Sequence, residues 1–390
     1  MSQVRGLNGF CFAAIALVVA LWLAGGSAHA QIRVGVTISL TGPQASLGIP
    51  EGQTVELLPR RIGNRNVEYI VLDDGSDPTR AVTNVRRLIT ERNVDLVIGS
   101  TTTPNTLAII DAAAEAKTPV VSLASSARLI EPVEASKRWI FKTPHSDSHI
   151  ASSIAEHMVR DELKTVAFIG FNNALGEAFW EEVARYSAKH GIRVVANERF
   201  SPTDVSVTGQ ILKIQSARPD AVVIGASGTP AVMPGKTLAE RRYRGRVYFN
   251  HGVSNNDFLR LCGKDCEGMY VPTGPVMVAA QLPDTNPVKS EALRFKQLYE
   301  DRYGAGTVSL FAAYTWDIGL LLKAAVPAAL EHASPGTEAF RAALRDALEN
   351  VRDLTTATGV VNMSPTDHVG LDHRSRVMVQ IRNGKWHLVP

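Results

Sequence analysis

The sequence predicts an α/β protein with two parallel sheets, each flanked by helices. Apolar runs typical of strands alternate with helical stretches of about ten to fifteen residues, the pattern of parallel α/β units. The alternation restarts near residue 138, which indicates a second unit. The chain has 390 residues, of which 45% are hydrophobic and 20% charged. This composition is typical of a globular protein, and the length fits two domains better than one.

The first series runs from residue 32 to residue 123. We predict strands at 32–40, 67–72, 95–98 and 118–123, and helices at 47–61, 77–92 and 104–116. Asp77 and Pro78 mark one helix start, because proline lacks the N–H that would be unbonded in a first turn.

The second series begins with an extended segment at 138–142. We predict helices at 148–162, 176–190 and 207–216 and another ending at 243, with strands at 165–170, 193–200, 221–224 and 247–249. Three further helices, at 287–303, 309–332 and 337–350, precede strands at 360–361 and 375–388 that turn at Asn383-Gly384. No low-complexity linker separates the two series, which favours two closely joined lobes with a cleft between them.

Residues 1–30 have the layout of a secretory signal peptide. A basic start is followed by an uninterrupted apolar run at 10–24 and by the small-residue pattern Ala28-His29-Ala30. The alternative is an uncleaved anchor, but the run is shorter than the roughly 20 residues of a spanning helix. Cys11 lacks the small-residue lipobox of a lipoprotein. We predict cleavage near Ala30 and a periplasmic location for a soluble mature protein.

The charge balance excludes one class of partner. The chain carries 41 basic and 38 acidic residues, without the clustered basic face that nucleic acid requires.

Cys262 and Cys266 would meet an oxidising compartment after export, so we expect a local disulfide, with free thiols or a functional pair as alternatives.

Catalytic and cofactor motifs are missing from the sequence, so we expect no enzyme and no cofactor. No P-loop, dinucleotide glycine fingerprint or His-Glu-x-x-His occurs, and Gly225-Ala226-Ser227-Gly228 breaks a nucleophile elbow. Asp367-His368 and Asp372-His373 resemble a metal cluster, but their setting favours a hydrogen-bonded loop, and we predict no metal site.

Small hydroxyl residues follow two adjacent strands of the first series. Gly99-Ser100-Thr101-Thr102-Thr103-Pro104 enters a helix, and Ser122-Leu123-Ala124-Ser125-Ser126 follows the next strand. In open α/β sheets ligands bind at the carboxyl ends of strands, where helix N-termini offer unpaired N–H donors. Two such loops side by side suit a carboxylate, whereas ordinary helix capping would explain one of them.

These segments together resemble a known family. Val34-Gly35-Val36, Ser39-Leu40-Thr41-Gly42-Pro43, Leu72-Asp73-Asp74 and the loop of Gly99 to Thr103 occur in the order seen in type 1 periplasmic solute-binding proteins of branched-chain amino acid ABC importers. The resemblance extends over the chain after residue 30. It implies two Rossmann-like lobes joined by three crossovers, with lobe one at 31–145 and 276–353 and lobe two at 146–275 and 354–390.

The resemblance also implies a binding protein that captures a small carboxylate between its lobes. It implies a monomer that delivers its ligand to a membrane permease. The segments 48–51 and 362–372 are similar to the subgroup that binds lignin-derived aromatic acids such as benzoates. Alternatives are an amino acid or amide binding protein of the same fold, and a secreted enzyme or sensory receptor that uses the same cleft.

Several site residues follow from the family pattern and from departures from it. Leu175 stands where amino acid binders place a tyrosine, His251 where they place an acid for the ammonium, and Ser227 where an aromatic often sits. An ammonium without an anionic partner is costly to bury, so an amino acid fits poorly. The predicted ligand-binding residues are Ser46, Leu47, Thr101, Thr102, Thr103, Ala124, Ser125, Ser126, Leu175, Ser227 and His251.

Overall fold

A computed structural model describes residues 31–389 of the chain, so the predicted signal peptide lies outside the described residues. Its strands are β1 Ile32–Ile38, β2 Arg61–Ile62, β3 Arg65–Asp73, β4 Leu96–Gly99, β5 Val120–Ser122, β6 Ile140–Lys142, β7 Thr165–Phe171, β8 Arg193–Phe200, β9 Ala221–Gly225, β10 Arg246–Phe249, β11 Tyr270–Thr273, β12 Leu354–Thr355, β13 Val360–Val361, β14 Val377–Arg382 and β15 Lys385–Leu388. Its α-helices are α1 Ala45–Val55, α2 Pro78–Thr90, α3 Thr103–Glu115, α4 Asp147–Arg160, α5 Ala174–Lys189, α6 Thr208–Ser216, α7 Val232–Glu240, α8 Asn256–Cys262, α9 Lys289–Tyr303, α10 Leu310–His332 and α11 Glu338–Glu349.

The strands form two main sheets, as the restart of the sequence pattern predicts. The first has the order β2-β3-β1-β4-β5-β6 and is parallel except for the β2–β3 pair. The second has the order β15-β14-β11-β10-β9-β7-β8, in which β14 alone runs antiparallel to the other strands. Helices cover the faces of the sheets, and this confirms the predicted α/β fold.

The predicted helix start at Asp77 and the predicted turn at Asn383 are both confirmed. The Asp77 side chain accepts a hydrogen bond from the N–H of Arg80 at 2.8 Å, which caps α2. Asn383 and Gly384 have φ of 50° and 66°, the positive values that a two-residue turn between β14 and β15 requires.

Strand β11 is an element that the pattern did not predict. Pro272 lies within it and cannot donate a ladder hydrogen bond, which weakens its strand signal. The strand tolerates the proline because only Tyr270 is in register with Tyr248 of β10, while the rest of β11 pairs with β14.

Helices α9 and α10 pack on the first sheet's side of the molecule. The Tyr299 and Tyr303 hydroxyls of α9 donate to the side chain and carbonyl of Gln53 in α1. Gly319 lets α10 approach the segment after α1, since a Cβ there would lie 2.7 Å from a Leu58 methyl. Helix α10 is long and apolar enough to cross a membrane, but 78% of its most apolar stretch is buried inside the protein, as in a core helix.

The chain passes three times between the side of the first sheet, which α9, α10 and α11 share, and the side of the second sheet, and these crossovers meet beside α10. The first lies at 143–146, the second begins at Gly274 and the third spans 356–376. The His145 ring contacts the Tyr314 hydroxyl at 2.8 Å through Nδ1 and the Ser375 carbonyl at 2.6 Å through Nε2. Burial lowers the pKa of His145 to about 3, so the ring is neutral, with Nε2 donating and Nδ1 accepting.

Asp317 of α10 fixes the third crossover. Its carboxylate accepts hydrogen bonds from the Ala357 N–H at 2.8 Å and the Thr358 hydroxyl at 2.5 Å. Burial raises the pKa of Asp317 to about 7, although both hydrogen bonds oppose that shift. A carboxyl group with a folded-state pKa above its unfolded value of about 3.9 holds its proton longer in the native state, so it loses stabilising effect as the pH rises through that window.

We therefore expect Asp317→Asn to change the pH dependence of stability. Between about pH 5 and about pH 8 the wild-type free energy of unfolding should fall by about 3 kcal/mol relative to the variant. Urea unfolding at both pH values measures this difference. Asp111→Asn alters an exposed acid and should show no such trend. Parallel pH profiles for wild type and Asp317→Asn would contradict the assignment.

Candidate ligand-binding site

A narrow cavity lies at the carboxyl ends of both sheets. Its volume is only about 20 Å³, so the two walls lie almost against each other. Its lining residues are Leu47, Thr101, Thr102, Thr103, Leu123, Ala124, Ser125, Leu175, Ser227, Asn250, His251, Gly252 and Phe311. A larger groove between α10 and α11 lies at the surface, away from these strand ends. The narrow cavity is therefore the candidate site.

Nine of the predicted ligand-binding residues line this cavity, and two do not. Ser46 is buried with an unpartnered hydroxyl, but it faces an adjoining groove beside Asn255 and Ser309. The Ser126 hydroxyl accepts from the Arg128 N–H at 3.3 Å and caps a short 3-10 turn. Ser126 therefore has an ordinary capping role, and Ser46 packs beside the site.

The loop after β4 brings three threonines to one wall. Gly99 permits the turn, since a Cβ there would lie 2.0 Å from the Thr37 carbonyl oxygen and its φ is +129°. The Thr101 hydroxyl donates to Glu51 at 2.5 Å and accepts from the Ser39 N–H at 2.9 Å, so its proton is already used. The Thr102 hydroxyl accepts from the Asn105 N–H at 3.4 Å and keeps its own proton free.

Thr103 is the residue of this wall whose hydroxyl is unused. Its side chain is fully buried, and Oγ1 has no hydrogen-bond partner within residues 31–389. Buried polar groups are nearly always hydrogen-bonded. Thr103 is also the first residue of α3, where unpaired N–H groups and the helix dipole favour an anion.

Glu51 lies behind the threonine wall and was not predicted from the sequence. It is fully buried on α1, and burial raises its pKa well above the usual value, although the hydrogen bond from Thr101 opposes that shift. Burial therefore favours the protonated, uncharged form of this carboxyl group. The sequence signal that could have identified Glu51 is a single acidic residue one turn after Leu47, on a helix whose other buried residues are uncharged.

The loop after β5 forms the adjoining wall. The Ala124 N–H donates to the Ser122 hydroxyl at 3.0 Å, and that hydroxyl also contacts Thr106 at 3.1 Å. These bonds fix Leu123, Ala124 and Ser125 against the cavity. Leu123 was not among the predicted residues.

The second sheet supplies the opposite wall. Leu175 and Ser227 follow β7 and β9, while Asn250, His251 and Gly252 follow β10. Asn250 and Gly252 were missed, because the Asn250 carboxamide mainly shapes the turn by accepting from the Gly252 N–H at 2.9 Å.

His251 is the second unpartnered polar group in the cavity. Its side chain is buried, and Nδ1 has no hydrogen-bond partner among the described residues. Burial lowers the pKa of His251 well below its usual value, and interactions with His145 and Lys142 lower it further. The imidazole is therefore neutral, with one donor and one acceptor nitrogen.

The three aromatic residues of α10 have different environments. Phe311 lines the cavity, whereas Tyr314 holds His145 of the first crossover. Trp316 donates through Nε1 to Glu291 at 2.8 Å and stacks on Phe295. All three lie within two turns of the helix, so their spacing in the sequence does not separate these environments.

The Asp-His segment at 367–373, which resembles a metal cluster in the sequence, lies outside the cavity and has structural contacts. His368 stacks on Phe141 and contacts the Ile140 carbonyl at 2.8 Å through Nδ1. No group of three metal-ligating side chains occurs between residues 31 and 389.

Cys262 and Cys266 form a disulfide at the end of α8, with Cα atoms 5.6 Å apart, a separation within the usual range.

One pair of side chains joins the two walls at the mouth of the cavity. The Ser227 hydroxyl donates to Gln44 Oε1 at 2.7 Å, and Gln44 Nε2 approaches the Ser227 carbonyl at 3.4 Å. Gln44 precedes α1 on the first sheet's side and lies outside the cavity lining. An exposed ion pair between Arg128 and Glu181 spans the same gap.

We expect Gln44→Met to shift the ligand-free protein toward a more open form. Methionine keeps the volume but removes both hydrogen bonds to Ser227, each worth about 1 kcal/mol. Small-angle X-ray scattering should show a larger radius of gyration than in wild type. Gln297→Met, on an exposed face of α9, should leave the radius unchanged. An equal radius for wild type and Gln44→Met would contradict a closing role for this pair.

Known proteins share this architecture. The periplasmic binding protein family matches residues 31–385. An extracellular ligand-binding receptor from Rhodopseudomonas palustris HaA2 is 41% identical, covers 92% of this chain and 100% of its own, and superposes with a TM-score of 0.89.

Two more distant relatives carry ligand names. A solute-binding protein of an ABC transporter from R. palustris, solved in complex with benzoate, is 21% identical over 92% of this chain and 96% of its own, with a TM-score of 0.78. Leu/Ile/Val-binding protein homolog 3 of Brucella melitensis biotype 1 is 23% identical over 87% of this chain and 89% of its own length. The chain belongs to the periplasmic binding protein family, as a type 1 member related to the Leu/Ile/Val-binding substrate-binding components of ABC transporters.

Proposed function

We propose that the chain is the substrate-binding component of an ABC importer and captures a small carboxylate, best an aromatic acid such as a benzoate derivative. The observation that carries the proposal is a cavity with hydroxyl and helix N-terminal donors on one wall and no acidic or basic side chain in its lining apart from the neutral His251. Donors of this kind stabilise a carboxylate without a direct ion pair.

The apolar lining supports an aromatic body for the ligand. Leu47, Leu123, Leu175 and Phe311 supply hydrophobic surface between the threonine wall and His251. Small-molecule sites combine such surface with a few placed polar groups. The neutral His251 would hydrogen-bond a hydroxyl at the far end of the ligand. The benzoate-bound relative has the same fold, and its ligand is of the class proposed here.

An amino acid is the second candidate, because a distant relative is named as a Leu/Ile/Val-binding protein. Its ammonium would enter a cavity in which no lining side chain is anionic. A buried charge without a partner is strongly unfavourable. Glu51, the acid behind the wall, is engaged with Thr101 and does not line the cavity. The uncharged lining therefore favours a carboxylic acid without an ammonium group over an amino acid.

The remaining aspects of the proposal concern the whole protein. Membership of the family implies export, and we infer that residues 1–30 are removed as a signal peptide. The lobes at 31–145 with 276–353 and at 146–275 with 354–390 would close on the ligand as rigid bodies.

The protein would act as a monomer, release its ligand unchanged to a membrane permease and perform no catalysis. A secreted enzyme would instead consume the ligand, and a sensory receptor would signal without supplying a permease.

A thermal-shift screen of residues 31–390 tests the ligand class. Benzoate and 4-hydroxybenzoate should raise the melting temperature by several degrees at about one hundred times their Kd, because binding to the folded state adds about 2.7 kcal/mol. Leucine and isoleucine should have no effect. Stabilisation by leucine without any response to the aromatic acids would overturn the proposal.

We expect Thr103→Val to reduce the affinity for benzoate about tenfold. The Thr103 hydroxyl has no partner in the protein, so its removal should cost little stability, whereas a hydrogen bond to a carboxylate is worth about 1.5 kcal/mol or more. Isothermal titration calorimetry measures the change. Thr83→Val, on an exposed part of α2, serves as the matched control. Equal affinities for wild type and Thr103→Val would place the carboxylate elsewhere.

A further inference from the structure

A buried lysine lies directly beneath the cavity wall. Lys142 ends β6, and its side chain is completely buried. Its ammonium donates to the carbonyl oxygens of Ser125 at 2.7 Å and Pro144 at 3.1 Å. Ser125 is a lining residue, so a single residue separates this cation from the cavity. The buried position is costly for a charged group, and packing alone would be served as well by an apolar side chain.

Asp147 is the counter-charge on the other side of the first crossover. It is the first residue of α4 and is 1% exposed. Burial lowers the pKa of Lys142 to about 8 and raises that of Asp147 to about 6, while their mutual attraction opposes both shifts. Both groups therefore remain mainly charged at neutral pH. Both carboxylate oxygens of Asp147 are buried without a hydrogen-bond partner among residues 31–389, so Asp147 and Lys142 attract each other without a direct contact.

The positive charge of Lys142 reaches the cavity. It acts on His251, a lining residue, and contributes to the lowering of its pKa together with burial and His145. No acid contributes among those causes. The positive charge behind the Ser125 loop thus acts on a side chain that lines the cavity.

We propose that Lys142 is the specificity-determining cation of the site. Held under Ser125 and balanced by Asp147, it makes an otherwise uncharged cavity prefer an anion over the neutral molecule of the same shape. The inference rests on the proposed function, because it assigns the source of selectivity for the carboxylate. Lys142 acts without touching the ligand, through the Ser125 loop and through its charge. The low dielectric of a closed cavity strengthens this effect.

Lys142 also ties the Ser125 loop to the first crossover. Its ammonium donates to the carbonyl of Ser125, which follows β5, and to that of Pro144, which lies in the crossover. A rotation about the first crossover would thus keep the cation beside the Ser125 loop and move it relative to the wall that the second sheet supplies.

The test compares benzoate with benzamide, which has the same shape and no charge. Wild type should bind benzoate more tightly, and Lys142→Met with Asp147→Asn should reduce the ratio of the two affinities about tenfold. The double substitution removes both charges together, because the loss of one partner alone would leave an uncompensated buried charge. Calorimetric Kd values for both ligands give the ratio.

Lys164→Met is the matched control, since Lys164 is exposed at the amino end of β7, away from the cavity. It should keep the wild-type ratio. An unchanged ratio in a folded double variant would overturn the inference while leaving the proposed function intact. Wild-type protein that binds neither aromatic ligand, or only neutral and zwitterionic solutes, would overturn the proposed function and this inference together.

A measurement on wild type covers the case in which the double variant does not fold. NMR titration of protein with ¹⁵N-labelled lysine follows the Lys142 ammonium. Benzoate should raise its pKa, because a nearby anion favours the charged form, and benzamide should not. An identical Lys142 pKa with and without benzoate would overturn the inference.

Discussion

The attachment of the first and third crossovers to α10 is the constraint on which the cavity depends. His145 is held between Tyr314 and Ser375, and Asp317 binds the backbone and hydroxyl of the third crossover. These groups are buried, so each lost hydrogen bond would leave an uncompensated polar atom. Because the cavity walls come from both sheets and from Phe311 of α10, their relative position is set where the chain crosses.

Burial determines the charge state of the site as much as the choice of residues does. Glu51 and His251 are both titratable, yet burial shifts the pKa of each toward its neutral form. The wall therefore offers hydroxyls, N–H groups and an imidazole, none of them fully charged. In such surroundings a single buried cation such as Lys142 has a large influence, since no nearby solvent screens it. A small net charge on the chain is compatible with an anion site built in this way.

The threonine and serine loops could be predicted because the carboxyl ends of parallel strands meet at one edge of a sheet. Their individual roles could not. Thr101 and Thr103 are two residues apart, but the Thr101 hydroxyl is occupied by Glu51 and Ser39 while that of Thr103 is free. Such differences depend on contacts with residues about fifty positions away, and local spacing carries no record of them.

The sequence by itself determined the α/β class, the two series of strands and the edge at which the candidate site lies, because these follow from periodicity and from turn chemistry. Tertiary structure alone decided which loop residues face the cavity, that Ser46 and Ser126 lie outside it, and that the buried Lys142 lies beneath it on the Ser125 carbonyl. The physical reason is that hydrogen-bond occupancy and desolvation arise from long-range packing. The same residue types would give the same sequence pattern in a loop that binds no ligand.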